Sequence, residues 1–310
     1  MICIGCAIVD VMIEGVDVVN GKVRANFQNG FHCIESISIS TGGDALNEAI
    51  VLAKLGTKVK LMCGVGNDIP SEMIRNQAEK YGVDTSGIVY HPTSKTMLNV
   101  LLVQKDTEKY FFSEPYPSST FISPTEEQLN GAKIVSLASL FTPPFDEADT
   151  VLKTLIAAKQ VGAVTCADAN FTPHTKLKVS EIIPALPYLD YFLPNEEEAY
   201  KITNKKAPED MAETLLNYGI KNVIIKLGSK GCFFQNQSMS FYTPAFKVKS
   251  IDATGAGDSF MAGFISAILA GKPIDQCCRF ASAVASLVVQ AIGATTGVNS
   301  MEDVMQVLNS

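Results

Sequence analysis

The chain has 310 residues, 47% of them hydrophobic, with 25 Lys plus Arg against 32 Asp plus Glu for a net charge of −7. That length suits one large or two modest domains with a sizeable core, and the composition excludes a disordered chain. An acidic chain with no basic run is a poor partner for nucleic acid or an anionic membrane.

The N-terminal run MICIGCAIVDVMIEG has no basic leader and meets acids at Asp10 and Glu14, so it reads as a strand over Ile2 to Val9 and not as a signal peptide. Cys3 and Cys6 have CxxC spacing but no second pair at zinc-ribbon spacing follows. Cys3 and Cys6 therefore read as buried strand cysteines, the eight cysteines do not read as a disulfide framework, and the protein is expected to be cytoplasmic. Between Asp10 and Ser40 short alternating pieces predict antiparallel strands with one solvated face. Asp44 to Leu55 is helical, with Leu46, Ala49, Ile50 and Ala53 on one face and Gly56 as a stop. Val59 to Cys63 is a strand and Ser71 to Tyr81 a helix ended by Gly82. Thr96 to Phe112 alternates around a polar turn, Lys105 to Lys109, and reads as a hairpin. After Lys133 short strands at Ile134 to Ala138, Ala163 to Ala167, Tyr191 to Leu193 and Val223 to Leu227 alternate with helices. Those helices are Glu147 to Val161, Pro208 to Tyr218, Asp258 to Ala270 and Ile274 to Ile292. The expected fold is α/β, a parallel sheet with helices on both faces. Residues 11–40 and 96–113 would add a small β-sheet lid to what is otherwise one domain spanning 1–310. No stretch of about 18 uncharged apolar residues is long enough to span a membrane.

The sharpest segment is IDATGAGDSFMAG, Ile251 to Gly263. Thr254, Gly255, Ala256 and Gly257 lead into a helix with the apolar face Phe260, Met261, Phe264, Ile265 and Ile268. A glycine-rich turn before a helix offers backbone N–H groups and the positive end of the helix dipole to an anion, usually phosphate. Asp258 at the helix start reads equally as an N-cap or as a general base beside that cradle. No GxxxxGK[ST] and no GxGxxG is present, so a bound nucleotide is held by another device. Three histidines and no GxSxG give a serine-hydrolase reading no support.

The segment DATGAGDSFMAG resembles the C-terminal signature of the PfkB, or ribokinase-like, carbohydrate kinases, and the resemblance spans the chain. Gly42, Gly43 and Asn47 in TGGDALNEA resemble the N-terminal motif of that family. Asp10 falls where the family has a sugar-binding aspartate, PNEEE at Pro194 to Glu198 resembles Asn-x-x-Glu, and KLGSKG at Lys226 to Gly231 resembles the loop at the nucleotide's edge.

The resemblance implies a ribokinase-like fold and an ATP- and Mg²⁺-dependent phosphotransferase. Asp258 would take the proton of the substrate hydroxyl, and the amides of Gly255, Ala256 and Gly257 would stabilise the transferring phosphoryl group. Asn195, on the nucleotide side, and Glu198, through water, would organise Mg²⁺. Lys226, Gly228, Ser229 and Gly231 would line the nucleotide with their backbones, and Ser282 falls beside the adenine. Asp10, Gly42, Gly43, Asp44 and Asn47 would bind sugar. Asp252 and Thr254, with Val288, Ala291, Gly293 and Gly297, fall where the family often binds a monovalent cation such as K⁺. The family often dimerises through the lid.

Taken singly, these residues have plainer readings: a helix start with an acidic first turn for NEEE, a turn between strands for KLGSKG, a helix-start polar residue for Asn47 and a strand-end turn for Asp10. The motif Gly-Gly-Lys-Gly-Ala-Asn of ribokinases proper is replaced by GGDALN, and SLASLFTPP lacks their sugar-binding glutamate. Asp44 occurs in some ketodeoxygluconate kinases, but KYFFSEP has no arginine for a sugar acid, which favours a neutral fructose-like or ribose-like sugar. Phe111 and Phe112 offer an aromatic slot that keeps a nucleoside kinase as the alternative. A sugar-sensing protein that has lost turnover has no use for the base at Asp258.

Overall fold

The structure is a computed structural model that describes residues 1–19, 22–24, 33–104, 109–113 and 123–309. Its main sheet has nine strands in the order Ser240–Thr243, Cys232–Asn236, Asn222–Lys226, Tyr191–Phe192, Val164–Ala169, Ile134–Leu140, Ile2–Ile4, Lys60–Gly66 and Asp84–His91. All pairs from Asn222–Lys226 to Asp84–His91 are parallel, and the two edge strands Cys232–Asn236 and Ser240–Thr243 are antiparallel. Strands buried on both faces read as continuous apolar runs, as IVSLASL does over Ile134–Leu140.

Each face of the sheet carries its own core. On one side Leu46, Ile50, Phe260, Phe264, Phe280 and Val284 pack from the helices Asp44–Lys54, Ala256–Leu269 and Ile274–Val288. On the other, Val151, Leu155, Met211 and Leu215 come from Ala148–Gln160 and Pro208–Asn217. The strand order reverses at Ile2–Ile4, with later strands added first on one side of it and then on the other. A crevice opens at the carboxyl ends of the strands at such a reversal, and ligands of α/β sheets bind there.

The first expected strand divides. Ile2–Ile4 stays in the main sheet, and Ile8–Glu14 leaves it to join a second sheet of four strands, ordered Ser36–Gly42, Ile8–Glu14, Leu98–Val103 and Lys109–Ser113. Ile8–Glu14 is antiparallel to Ser36–Gly42, as expected of the segment up to Ser40, and parallel to Leu98–Val103. Leu98–Val103 and Lys109–Ser113 form the expected hairpin, whose turn falls largely outside the described residues.

Register gives this small sheet two unlike faces. Val11, Ile39, Val100 and Phe112 lie in one row and Ile13, Ile37, Leu102 and Tyr110 in the next, while the opposite face carries Asp10, Ser40, Asn99 and Ser113. The helix expected over Ile274 to Ile292 ends at Val288, because the carbonyl of Val289 is taken by the amides of Ile251 and Asp252, at 2.7 and 3.2 Å. Among the described residues no helix is long and apolar enough to cross a membrane.

Candidate active site

Gly255 has a left-handed backbone, φ 76°, and occupies the N-cap of the helix Ala256–Leu269. No side chain caps this helix, and Asp258 sits inside its first turn, so the capping role open to Asp258 on sequence grounds is not the one it has. The first-turn N–H groups of Gly257 and Asp258 have no intrahelical acceptor, which leaves them to an anion. The amide of Ala256 donates back to the carbonyl of Ala253 at 3.2 Å. A Cβ on Gly255 would lie 2.4 Å from the carbonyl oxygen of Ala294, so only glycine allows the 292–298 loop to close on the turn. Lys54 pins that loop from the side, donating to the carbonyls of Thr295 and Val298 at 2.7 and 2.8 Å.

The N-terminal and C-terminal motifs meet at one hydrogen bond. Asn47 Nδ2 donates to Asp258 Oδ2 at 2.8 Å across 211 residues of sequence. Burial and the charge of Asp44 raise the Asp258 carboxyl well above the usual carboxylate range, and the Asn47 bond pulls it back in part. Asp44 accepts from Ser139 Oγ and, at 3.4 Å, from Asn170 Nδ2. Gly43 has φ 98°, and a Cβ there would lie 2.6 Å from the carbonyl oxygen of Cys6. A Cβ on Gly42 would lie 2.6 Å from Asp10 Oδ2. The two glycines therefore let the chain approach closely beside Asp10.

On the polar face of the small sheet Asn99 Nδ2 donates to Asp10 Oδ1 at 3.1 Å. Asn99 is 8% exposed and its own Oδ1 has no partner among the described residues. It escapes a motif search because it reads as one polar position in an alternating strand. Phe112 lies in the row on the opposite face and is 53% exposed, away from Asp10, so it does not supply the aromatic slot expected of it. The side chains of Lys109 and Phe111 lie outside the description.

Asn195 and Glu198 form a reciprocal cap on the helix Glu196–Thr203: Glu198 N donates to Asn195 Oδ1 at 2.9 Å and Asn195 N to Glu198 Oε2 at 2.7 Å. The helix-start reading of NEEE is thus realised in the geometry. Glu198 is nonetheless pushed up to about 8, by burial first and then by the charge of Asp168, with Lys226 acting against both. This buried carboxyl stands beside the charge of Asp168, and a dication would stabilise the two together, so the Asn195–Glu198 pair fits a hydrated Mg²⁺. Among the described residues no group of three or more His, Cys, Asp or Glu is arranged to hold a metal directly.

Lys226, expected to line a nucleotide with its backbone, ends the strand Asn222–Lys226, and its side chain forms a buried ion pair with Asp168 at the end of Val164–Ala169. Burial would lower the ammonium's pKa, but Asp168 and Glu198 more than offset this and raise it. Gly228 and Ser229 are exposed in the turn Gly228–Lys230, and Gly231 has φ 102°, with the carbonyl of Thr243 where a side chain would be. Ser282 is buried in the helix Ile274–Val288, with no partner for its hydroxyl among the described residues. Asp252 accepts from Thr254 N and Oγ1 at 3.0 and 2.7 Å, and from Gly293 N at 3.2 Å, so both of its oxygens already tie the cradle's entry to the 292–298 loop. Asp168, Asn170 and Ser139 were not singled out from sequence. The signal for the first two was there, as ADAN is a polar pair directly after an apolar strand.

The chain matches the family model described as pfkB family carbohydrate kinase over residues 9–301. It is 25% identical over 283 residues to the ribokinase of Haemophilus influenzae, covering 88% of this chain and 89% of that protein. It is 26% identical over 298 residues to the 2-dehydro-3-deoxygluconokinase of Bacillus subtilis, covering 92% of each. A ribokinase of Arabidopsis thaliana, whose structure is complexed with ribose and ATP, superposes with a TM-score of 0.84 at 24% identity, over 100% of this chain and 98% of that one. With the motifs of both ends joined at Asn47 and Asp258 and the family matched almost end to end, the chain belongs to the pfkB family of carbohydrate kinases.

Proposed function

We propose that the protein transfers the γ-phosphoryl group of ATP to a hydroxyl of a small neutral sugar, fructose-like or ribose-like, with the whole chain acting as one kinase unit and the small sheet as its lid. The observation that carries this reading is the 2.8 Å bond from Asn47 to Asp258, which joins a carboxylate beside an anion cradle to the glycine pair next to Asp10. Asp10, Asp44, Asn47 and Asn99 hold the sugar hydroxyls, and Gly42 and Gly43 admit the ring. Asn47 occupies Asp258 Oδ2, leaving Oδ1 to take the hydroxyl proton as the new P–O bond forms. The first-turn amides of the Gly255–Gly257 cradle stabilise charge on the transferring group. When bound, Mg²⁺ neutralises phosphate charge, and Asn195 and Glu198 hold its water shell. The nucleotide lies along Gly228, Ser229 and Gly231, with its base near Ser282. Asp252 and Thr254 border the place of a monovalent cation.

Asp10 and Asp44 support a neutral substrate, because a sugar acid would meet their charge. The outer face of the lid supports a homodimer: Ile37 and Ile39 are 61% and 56% exposed beside Val11 and Phe112, an apolar sheet face that a second copy would cover. An ATP-consuming enzyme with free thiols at every cysteine works in the cytoplasm. An ATP-coupled assay with fructose, ribose, ketodeoxygluconate, adenosine and cytidine tests the reading. The highest kcat/KM is expected for fructose or ribose. A preference for ketodeoxygluconate refutes the charge argument, and a preference for a nucleoside refutes the sugar assignment.

A further inference from the structure

Gly257 is the one glycine of the cradle whose presence its backbone does not explain. Gly255 needs a left-handed φ, whereas Gly257 lies in the helix with no positive φ, where any residue is conformationally allowed. What a side chain at 257 would meet beyond its own turn of helix is specific: its Cβ would stand 3.3 Å from Lys226 Nζ and 3.8 Å from Asp168 Oδ2. The missing side chain keeps an ammonium directly against the first turn of the helix, where the unpaired N–H groups are open to an anion.

That ammonium is also the cation acting on three carboxylates, Asp168, Glu198 and Asp258, gathered from the ends of three different elements. Among the described residues it is paired with Asp168 alone, on a four-carbon stem that can move its charge over a short distance. A structural lysine closing a buried carboxylate needs no glycine opposite it. An ammonium that must reach an anion on the cradle does.

Building on the kinase reading above, we propose that Lys226 is a further catalytic residue: its ammonium, held in place by Asp168, donates to the non-bridging oxygens of the γ-phosphoryl group lying against Gly257, and keeps that contact as charge builds up on the group during transfer. No proton changes hands at Lys226; it acts as a fixed positive charge beside the backbone donors, and the proton of the sugar hydroxyl goes to Asp258.

The test separates this role from mere pairing with Asp168. Lys226→Gln removes the charge and can still hydrogen-bond Asp168, and Lys226→Met/Asp168→Asn removes the buried charges of both partners, so a folded protein is available even if one variant is unstable. The preference for the β,γ-imido analogue of ATP over ADP is measured by calorimetry for each, together with kcat and KM on whichever sugar the wild type phosphorylates. Loss of a donor to the transferring group should cut kcat by about 10²–10³, with sugar KM little changed. The preference for the triphosphate analogue should fall by about tenfold in both variants. If the double variant keeps the wild-type preference and turnover, Lys226 only neutralises Asp168 and the proposal is wrong. If the wild type phosphorylates no sugar, the substrate reading fails, while the nucleotide comparison still decides the role of Lys226.

Discussion

Glu48 follows Asn47 on the same helix but points into the core, 1% exposed. Its carboxyl accepts from Ser136 Oγ at 3.0 Å and from the Cys3 thiol at 3.4 Å, two neutral donors. Burial, opposed by those two bonds and reinforced by Asp168 and Asp44, pushes it up to about 8 from an ordinary 4.5. Between those pH values the folded chain keeps a proton that the unfolded chain has given up, so this group's contribution to stability falls as pH rises. At 1.36 kcal/mol per pH unit the whole window is worth about 4–5 kcal/mol, and the part between pH 6 and 8 about 2 kcal/mol. Glu48→Gln keeps an acceptor for one of the two donors and cannot ionise. Urea unfolding of both proteins at pH 6 and pH 8 should show the variant gaining about 2 kcal/mol on the wild type between the two conditions. Asp168 and Asp258, which also ionise late, are common to both proteins and drop out of the comparison. A stability difference that is the same at both pH values would refute the reasoning.

Gly255→Ala forces a side chain into a left-handed position and onto the Ala294 carbonyl, and should cost more than about 1–2 kcal/mol along with most of the activity; unchanged melting would remove the loop contact from the argument. Glu198→Gln keeps the reciprocal cap, so folding should survive while the Mg²⁺ concentration for half-maximal activity rises; an unchanged Mg²⁺ titration leaves Glu198 with its cap alone. Ile39→Lys sets a charge in the middle of the small sheet's apolar face and should shift sedimentation toward the monomer, whereas a wild-type profile would put any dimer elsewhere.

Much of this architecture is legible in the sequence because its signals are local. Apolar runs between helical repeats mark the parallel strands, and the small-residue turn before Phe260 marks the anion cradle. The element over Asp84–His91 is not legible: with Gly87 at its centre and one buried residue, Ile88, it has almost no apolar pattern, and neighbouring Lys60–Gly66 supplies its order. The antiparallel edge, Cys232–Asn236 and Ser240–Thr243, escapes for a related reason, since pairing with Asn222–Lys226 and not periodicity fixes it. At the site, the motifs mark residues but not what those residues touch. Asn47 is visible in GGDALN, but that it touches Asp258 is a property of the fold. Lys226 is visible in KLGSKG as part of a turn, yet its side chain finds Asp168 58 residues away, and charge pairing at that range leaves no mark on either segment.

In the proposed reaction Asp258 is the base that the cradle and Asn47 bring to the sugar hydroxyl. The most direct test is Asp258→Asn, an isosteric change that keeps an acceptor for Asn47, measured for ATP affinity and for turnover on the sugar the wild type uses best. Nucleotide binding and folding should be nearly unchanged while kcat falls by about 10²–10⁴. Turnover close to wild type, with sugar and nucleotide both bound, would contradict the account.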